Sequence, residues 1–282
     1  MNLLKLESFG KIQNLPTPPE QLARVLDEVA HTSAMDYNIL KMIQYDLSIA
    51  TRVLQVANRP FYGFGSQVDS LQQAAGLLGP SIIKSIILTA PILTLPGSNG
   101  TGGDPTDLSK VWIHSAVTAT LAMALARNVK NLESDVCFTA GLIHDIGIIA
   151  LMVQAPELME ESVDYGRRKR FLLSRAVQEN VGFSLGDIAA AMAASWGYPD
   201  RLVRVLSKGW GDPLEGPEDR FVAVVLLAKH LSCQWGYTDD FETGPLEDPE
   251  RYLKILGMSE SGFERLHPQL KQEARDIADT II

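Results

Sequence analysis

Between Ser134 and Val153 the chain is almost wholly apolar, yet it carries an imidazole beside a carboxylate in Ala140-Gly-Leu-Ile-His-Asp-Ile-Gly147. The run is too long for an ordinary strand and its apolar residues do not alternate with polar ones, so it reads as a helix. A second helical run, Lys110-Val-Trp-Ile-His-Ser-Ala-Val117, holds His114. Elsewhere apolar residues also recur at helical spacing, as Leu22, Val25, Leu26 and Val29 do. No stretch alternates for long enough to form a strand. The expected fold class is all-α.

Prolines and glycines divide the chain. Leu15-Pro-Thr-Pro-Pro19 is extended and leads into a helix over about Glu20–His31. Ser33 caps a second helix bearing Ile39, Leu40 and Ile43, and Asp46 or Ser48 caps a third bearing Ile49, Val53, Leu54 and Val56. The third ends at Asn58-Arg-Pro60, before an aromatic loop, Phe61-Tyr-Gly-Phe-Gly65. A fourth starts at Ser70 and stops at Gly79-Pro80, and a fifth runs from Ser81 to about Thr89. Pro96-Gly-Ser-Asn-Gly-Thr-Gly-Gly-Asp-Pro105 is a connector, because neither the strand before a phosphate loop nor the Gly-Lys-Ser/Thr after it is present.

Four segments are therefore expected: an N-terminal helical half (1–95), the connector (96–106), a second helical half (107–237) and a C-terminal helical extension (238–282). Helices in the second half are placed at Asp107–Val129, Ser134–Val153, Arg167–Asn180, Ser184–Ser195, Asp200–Val205 and Glu218–Cys233. The extension holds two more, near Pro249–Leu256 and Ser259–Ile281.

Charge narrows the partners. With 25 Lys+Arg against 34 Asp+Glu, a net −9, the chain is no general nucleic-acid binder. Arg167-Arg-Lys-Arg170 is the one dense basic run. It is either the solvated start of a helix or a contact for a small anion such as a nucleotide. The solvated start is the expected reading, and the contact stays open because at a helix start the charges oppose the dipole. Cys137 and Cys233 lack metal-ligand spacing and read as two buried thiols in a reducing compartment. The N-terminus has no leader-like apolar segment. Apolar stretches are interrupted, by Lys84 and Pro91 or by Lys229 and His230, short of the ~18–20 residues of a bilayer span. The expected protein is cytoplasmic, without a membrane partner.

Two readings of the histidines stand side by side. His114, His144 and Asp145 make a facial set for a divalent ion if packing brings them together. Successive helical residues point about 100° apart, so His144 and Asp145 could share an ion only across an inter-helix groove. Equally, a histidine beside an apolar core is commonly a hydrogen-bonded structural residue. The aromatic loop and Trp112, Trp196, Trp210 and Trp235 read as packing. No nucleophile elbow, Walker loop or Rossmann loop is present, and no cofactor is expected.

A helix with His followed by a helix with His-Asp resembles the HD superfamily of metal-dependent phosphohydrolases, in which an Asp on a late helix completes the metal site. In the matching run here, Phe221-Val-Ala-Val-Val-Leu-Leu-Ala-Lys-His-Leu231, that place is taken by Lys229. An ammonium ~4 Å from a divalent cation is repelled by roughly 8 kcal/mol at an effective dielectric of 20. The same lysine could pair with Asp145 instead, whereas His230 points elsewhere.

Further motifs narrow the resemblance. Leu15-Pro-Thr-Pro-Pro19, Asp46-Leu-Ser-Ile-Ala-Thr-Arg-Val-Leu-Gln-Val-Ala-Asn58, Phe61-Tyr-Gly63 and Ser70-Leu-Gln-Gln-Ala-Ala-Gly-Leu-Leu-Gly79 are similar to the HDOD domain, in order, from about Leu15 to Leu231. The resemblance implies a bacterial all-α signalling module whose N-terminal helical half packs on an HD-like half. A histidine and a His-His pair of the family pattern are absent, with Leu185 nearest to the first and Lys208-Gly-Trp-Gly211 in place of the second. The expectation is a non-catalytic regulatory module contacting a protein partner, downstream of a response regulator in a two-component system. His114, His144, Asp145 and Lys229 would form its vestigial pocket. The alternatives are a phosphohydrolase with His114, His144 and Asp145 as metal ligands, and a nucleotide sensor using Arg167–Arg170.

Overall fold

A computed structural model describes residues 5–12, 15, 43–58, 67–88, 108–209, 214, 216–238, 241 and 248–281. The expected helices at 20–31 and 33–43, the aromatic loop, the connector and Trp210 lie outside these, apart from Ile43 at the end of the second. Among the described residues the regular elements are all helical. In chain order they are α1 (Leu6–Phe9), α2 (Leu47–Ala57), α3 (Leu71–Leu88), α4 (Leu108–Ala126), α5 (Ser134–Ile143), α6 (Ile146–Gln154) and α7 (Pro156–Lys169). Then come α8 (Leu173–Val181), α9 (Leu185–Ser195), α10 (Asp200–Lys208), a 3₁₀ turn (Pro217–Asp219), α11 (Arg220–Gln234), α12 (Glu250–Leu256) and α13 (Glu260–Ile281).

Helix α4 occupies the middle. Val111, Trp112, Ala116, Val117, Ala119, Leu121, Ala122 and Leu125 are all buried, so it is apolar on every side. It packs against α5, α11 and α13. One apolar cluster continues from these helices into the N-terminal half through Leu47, Val53, Leu54 and Ile83.

Polar ties join the halves at their edges. The Thr139 hydroxyl of α5 accepts from the Leu71 amide that opens α3 (2.9 Å). The Tyr198 hydroxyl donates to Thr51 O in α2 (3.0 Å), and its burial pushes the phenol above its ordinary pKa. Trp196 Nε1 donates to Ile12 O (2.8 Å), and Arg201 forms an ion pair with Asp69.

Local signals act as the sequence suggests at several places. Asp46 caps α2 by accepting from the Ile49 amide (2.9 Å). Gly79 adopts φ 71°, a conformation few other residues take, and splits α3 where Gly79-Pro80 predicts a stop. Ser184 and Asp187 form a reciprocal capping box at α9. Asp200, expected from the sequence to cap the short helix through Val205, is instead the first residue of α10 and no cap.

Four expectations need correction. The apolar run is two helices, broken at His144-Asp145. By length and composition Ser134–Gln154, 21 residues, would cross a bilayer, against the expectation that no stretch would; since 94% of its apolar window is buried inside the fold, it is core. The basic run does not start a helix. It ends α7, which opens on Pro156, buries Met159 and Val163, and closes on Arg170 with φ 56°. There Arg167, Arg168 and Lys169 sit with the dipole rather than against it. Of the two thiols Cys137 is buried, whereas Cys233 is only half-buried.

The C-terminal extension packs back on the domain. Phe263, Leu270, Ala274, Ile277 and Ala278 of α13 are buried, and the helix lies along α4.

Candidate functional site

The break between α5 and α6 aims the His-Asp pair. His144 Nδ1 donates to Gly141 O (2.7 Å), the carbonyl that an unbroken helix would pair with the Asp145 amide. The imidazole thus supplies a helix-ending donor from inside an apolar run that contains no proline. Two glycines let the neighbours close in. A methyl group on Gly141 would stand 2.8 Å from Ala119 Cα in α4, and one on Gly147 would stand 2.5 Å from Leu185 O at the start of α9.

His144 and Asp145 therefore do not diverge by the angle of a continuous helix. His144 Nε2 faces Asp145 Oδ2 at 3.1 Å, and His114 Nε2 reaches the same oxygen from α4 at 3.4 Å. The two rings are tilted with centroids 5.2 Å apart. All three residues are buried.

Their hydrogen bonds fix the tautomers. His114 Nδ1 donates to Tyr237 O (2.7 Å), with Ser232 Oγ 3.2 Å away, and the Ser232 hydroxyl itself donates to Tyr237 O (2.9 Å). A carbonyl can only accept, so each ring holds its proton on Nδ1 and turns the Nε2 lone pair toward Asp145. Two lone pairs and a carboxylate oxygen converge, and buried acceptors held so close call for a cation between them, either a proton or a metal ion.

The other oxygen of Asp145 has a different neighbour. Lys229 Nζ of α11 lies 3.4 Å from Asp145 Oδ1, and the lysine is buried. Burial opposes ionisation of Asp145. His144 and His114, once the cation between them is a proton on Nε2, together with the Lys229 ammonium more than offset it and hold the carboxyl well below the usual range.

The fit to a divalent ion is thus divided. His114, His144 and Asp145 each offer one ligand atom, all within 4.8 Å of one another, which suits a facial set. Lys229 faces the same carboxylate with a cation where a fourth anionic ligand would be needed.

The other candidates stand apart. Arg167, Arg168, Lys169 and Arg170 are exposed at the end of α7, and none is among the groups acting on Asp145. Lys208 lies 3.4 Å from Asp219. Sequence reasoning missed Gly141, Ser232 and the Tyr237 carbonyl as supports of the two imidazoles. Gly236, whose φ of 89° turns the chain after α11, was the available signal for the last.

A helical domain that sets a histidine from one helix against a His-Asp pair from the next is of the HD type. The chain belongs to the HDOD domain family, whose model matches residues 15–209. Its fold is similar to three solved structures. The MmoQ response regulator from Methylococcus capsulatus has a TM-score of 0.70 at 20% identity, over 90% of this chain and 98% of that one. A virulence factor from Campylobacter jejuni scores 0.64 at 15% identity, over 93% and 95%. An HDOD domain protein of unknown function from Geobacter sulfurreducens scores 0.57 at 18% identity, over 98% and 96%. No curated protein matches the chain.

Proposed function

We propose that this protein is a non-catalytic regulatory module that acts through protein–protein contacts in a bacterial, cytoplasmic signalling pathway. The observation that carries this reading is Lys229 Nζ, 3.4 Å from Asp145 Oδ1 and buried beside it. A fixed ammonium neutralises the carboxylate that a catalytic ion would need, and it resists a second cation. The pocket then survives without catalysis at the centre of the fold, and output rests on surface contacts. The fold likeness to a response regulator makes a two-component pathway the natural setting by analogy.

A second reading has its own observation: the convergence of His114 Nε2, His144 Nε2 and Asp145 Oδ2. In it the three residues hold a divalent ion, which when bound would polarise a phosphate ester and activate water.

Elemental analysis of the purified protein separates the two. The regulatory reading expects no stoichiometric Fe, Mn, Ni, Zn or Mg in the native chain, and uptake of one in Lys229→Asp, where the missing anion is restored. A stoichiometric metal in the native chain that disappears in His144→Ala would overturn it in favour of the phosphohydrolase.

A further inference from the structure

The C-terminal extension lies beyond the residues matched by the family model, yet it reaches the histidine pocket by two routes. The first is direct: α13 covers α4, the helix that carries His114.

The second runs through the turn that ends α11. Gly236 is left-handed there, and the Tyr237 amide returns to Ser232 O (2.9 Å) while the Gly236 amide bonds Cys233 O (3.1 Å). This turn aims the Tyr237 carbonyl at His114 Nδ1. Its other flank, Trp235, sits edge-on to His267 of α13 at 5.9 Å, and His267 is edge-on to Phe263 at 4.5 Å. Phe263 is buried, so the stack is seated rather than superficial.

His144 is held differently. Its Nδ1 acceptor is Gly141 O, one turn back in its own helix, and nothing in that bond involves α13. The two imidazoles of one pocket therefore answer to different parts of the chain.

We propose that α13 is a strap whose docking sets His114 and leaves the His144–Gly141 bond untouched. With the strap seated, the Trp235–Tyr237 turn is clamped and His114 keeps its proton on Nδ1, with Nε2 turned to Asp145. With the strap lifted, the turn loosens, the Tyr237 carbonyl leaves His114 and the pocket loses one of its three convergent groups. Pro268 lies within α13, just after the stack, and lacks the amide of a continuous helix, so the helix is weakened beside its anchor. The inference deepens the regulatory reading and rests on the pocket being the regulated centre.

Two measurements on the intact chain test it. Hydrogen exchange is expected to find α13 opening as a separate unit, with amides about tenfold or more faster than those of α5. In protein labelled with ¹⁵N-histidine, Phe263→Ala should speed α13 exchange about tenfold further and shift the ring nitrogens of His114, Nδ1 included, while Nδ1 of His144 stays in place. Exchange of α13 at the rate of α5 would overturn the proposal. So would a Phe263→Ala protein whose α13 is loosened and whose His114 ring signals do not move. If Phe263→Ala loses its cooperative thermal transition, His267→Ala, at a half-buried position, is read in the same way. The ring signals are independent of the metal assay, so a failed strap and a failed reading of the pocket are separately visible.

Discussion

Among the described residues two carboxylates, Asp145 and Asp219, are completely buried, and both face cations. They are built differently. Asp219, in the 3₁₀ turn before α11, takes a two-pronged grip from Arg204 of α10, with Nε at 2.7 Å and Nη2 at 2.6 Å, and Lys208 stands at 3.4 Å. Those cations reach out to solvent, at 39% and 22% side-chain exposure. Asp145 instead meets Lys229, 11% exposed, and two imidazoles that are almost wholly enclosed. The first arrangement is a staple: short charge-assisted bonds join α10 to α11, and water can still hydrate the cations. The second is a closed chamber in which acceptors face one another at 3.1 and 3.4 Å, which no staple requires.

The contrast sets an order of stability losses, each measurable by denaturant unfolding. Asp145→Ala is expected to be the worst, at about 3–5 kcal/mol, since it removes the enclosed carboxylate that an ammonium and two imidazoles face. Asp219→Ala should cost less, about 1–3 kcal/mol, because Arg204 and Lys208 can turn to water. Equal losses at the two sites would erase the distinction.

Acid sharpens it further. The folded carboxyl of Asp145 ionises below the usual range, so its stabilisation is fully present above about pH 4 and is lost as pH falls toward the folded value. In that window the unfolded chain binds a proton that the folded chain does not. Asp145→Asn should therefore flatten the decline of unfolding free energy between about pH 4 and pH 2. An unchanged acid limb would mean that the carboxylate is not held ionised by its neighbours. The smallest effect belongs to Lys208→Ala, at the half-open site, where the expected loss is within about 1 kcal/mol.

The same contrast explains what could be read from the chain beforehand. The all-α class, the stop at Gly79 and the cap at Asp46 follow from local residue chemistry or helix pattern, whereas Lys229 was set opposite Asp145 only by the resemblance to the HD superfamily. Asp219 escaped notice because an acid before an apolar helix looks like an ordinary cap; its burial depends on Arg204, 15 positions earlier. The break at His144 escaped because no proline marks it and the nearest glycines, Gly141 and Gly147, sit inside the two helices. Only the ring's bond to Gly141 O marks it, and a side chain's reach is not encoded in periodicity. The basic run was assigned to the wrong helix end, although Pro156 with Glu157 was a legible start signal. His114 could be named from the sequence, but its Tyr237 acceptor, 123 positions away, could not.

Gly141 and Gly147 bracket the chamber with hydrogen where any other residue would carry carbon, and backbone from α4 and α9 fills the space left. The spacing of the two imidazoles and the carboxylate is thus tuned by how nearly three lengths of main chain can touch. Adding a single carbon at either bracket would wedge those lengths apart and detune the chamber without altering one of its polar groups.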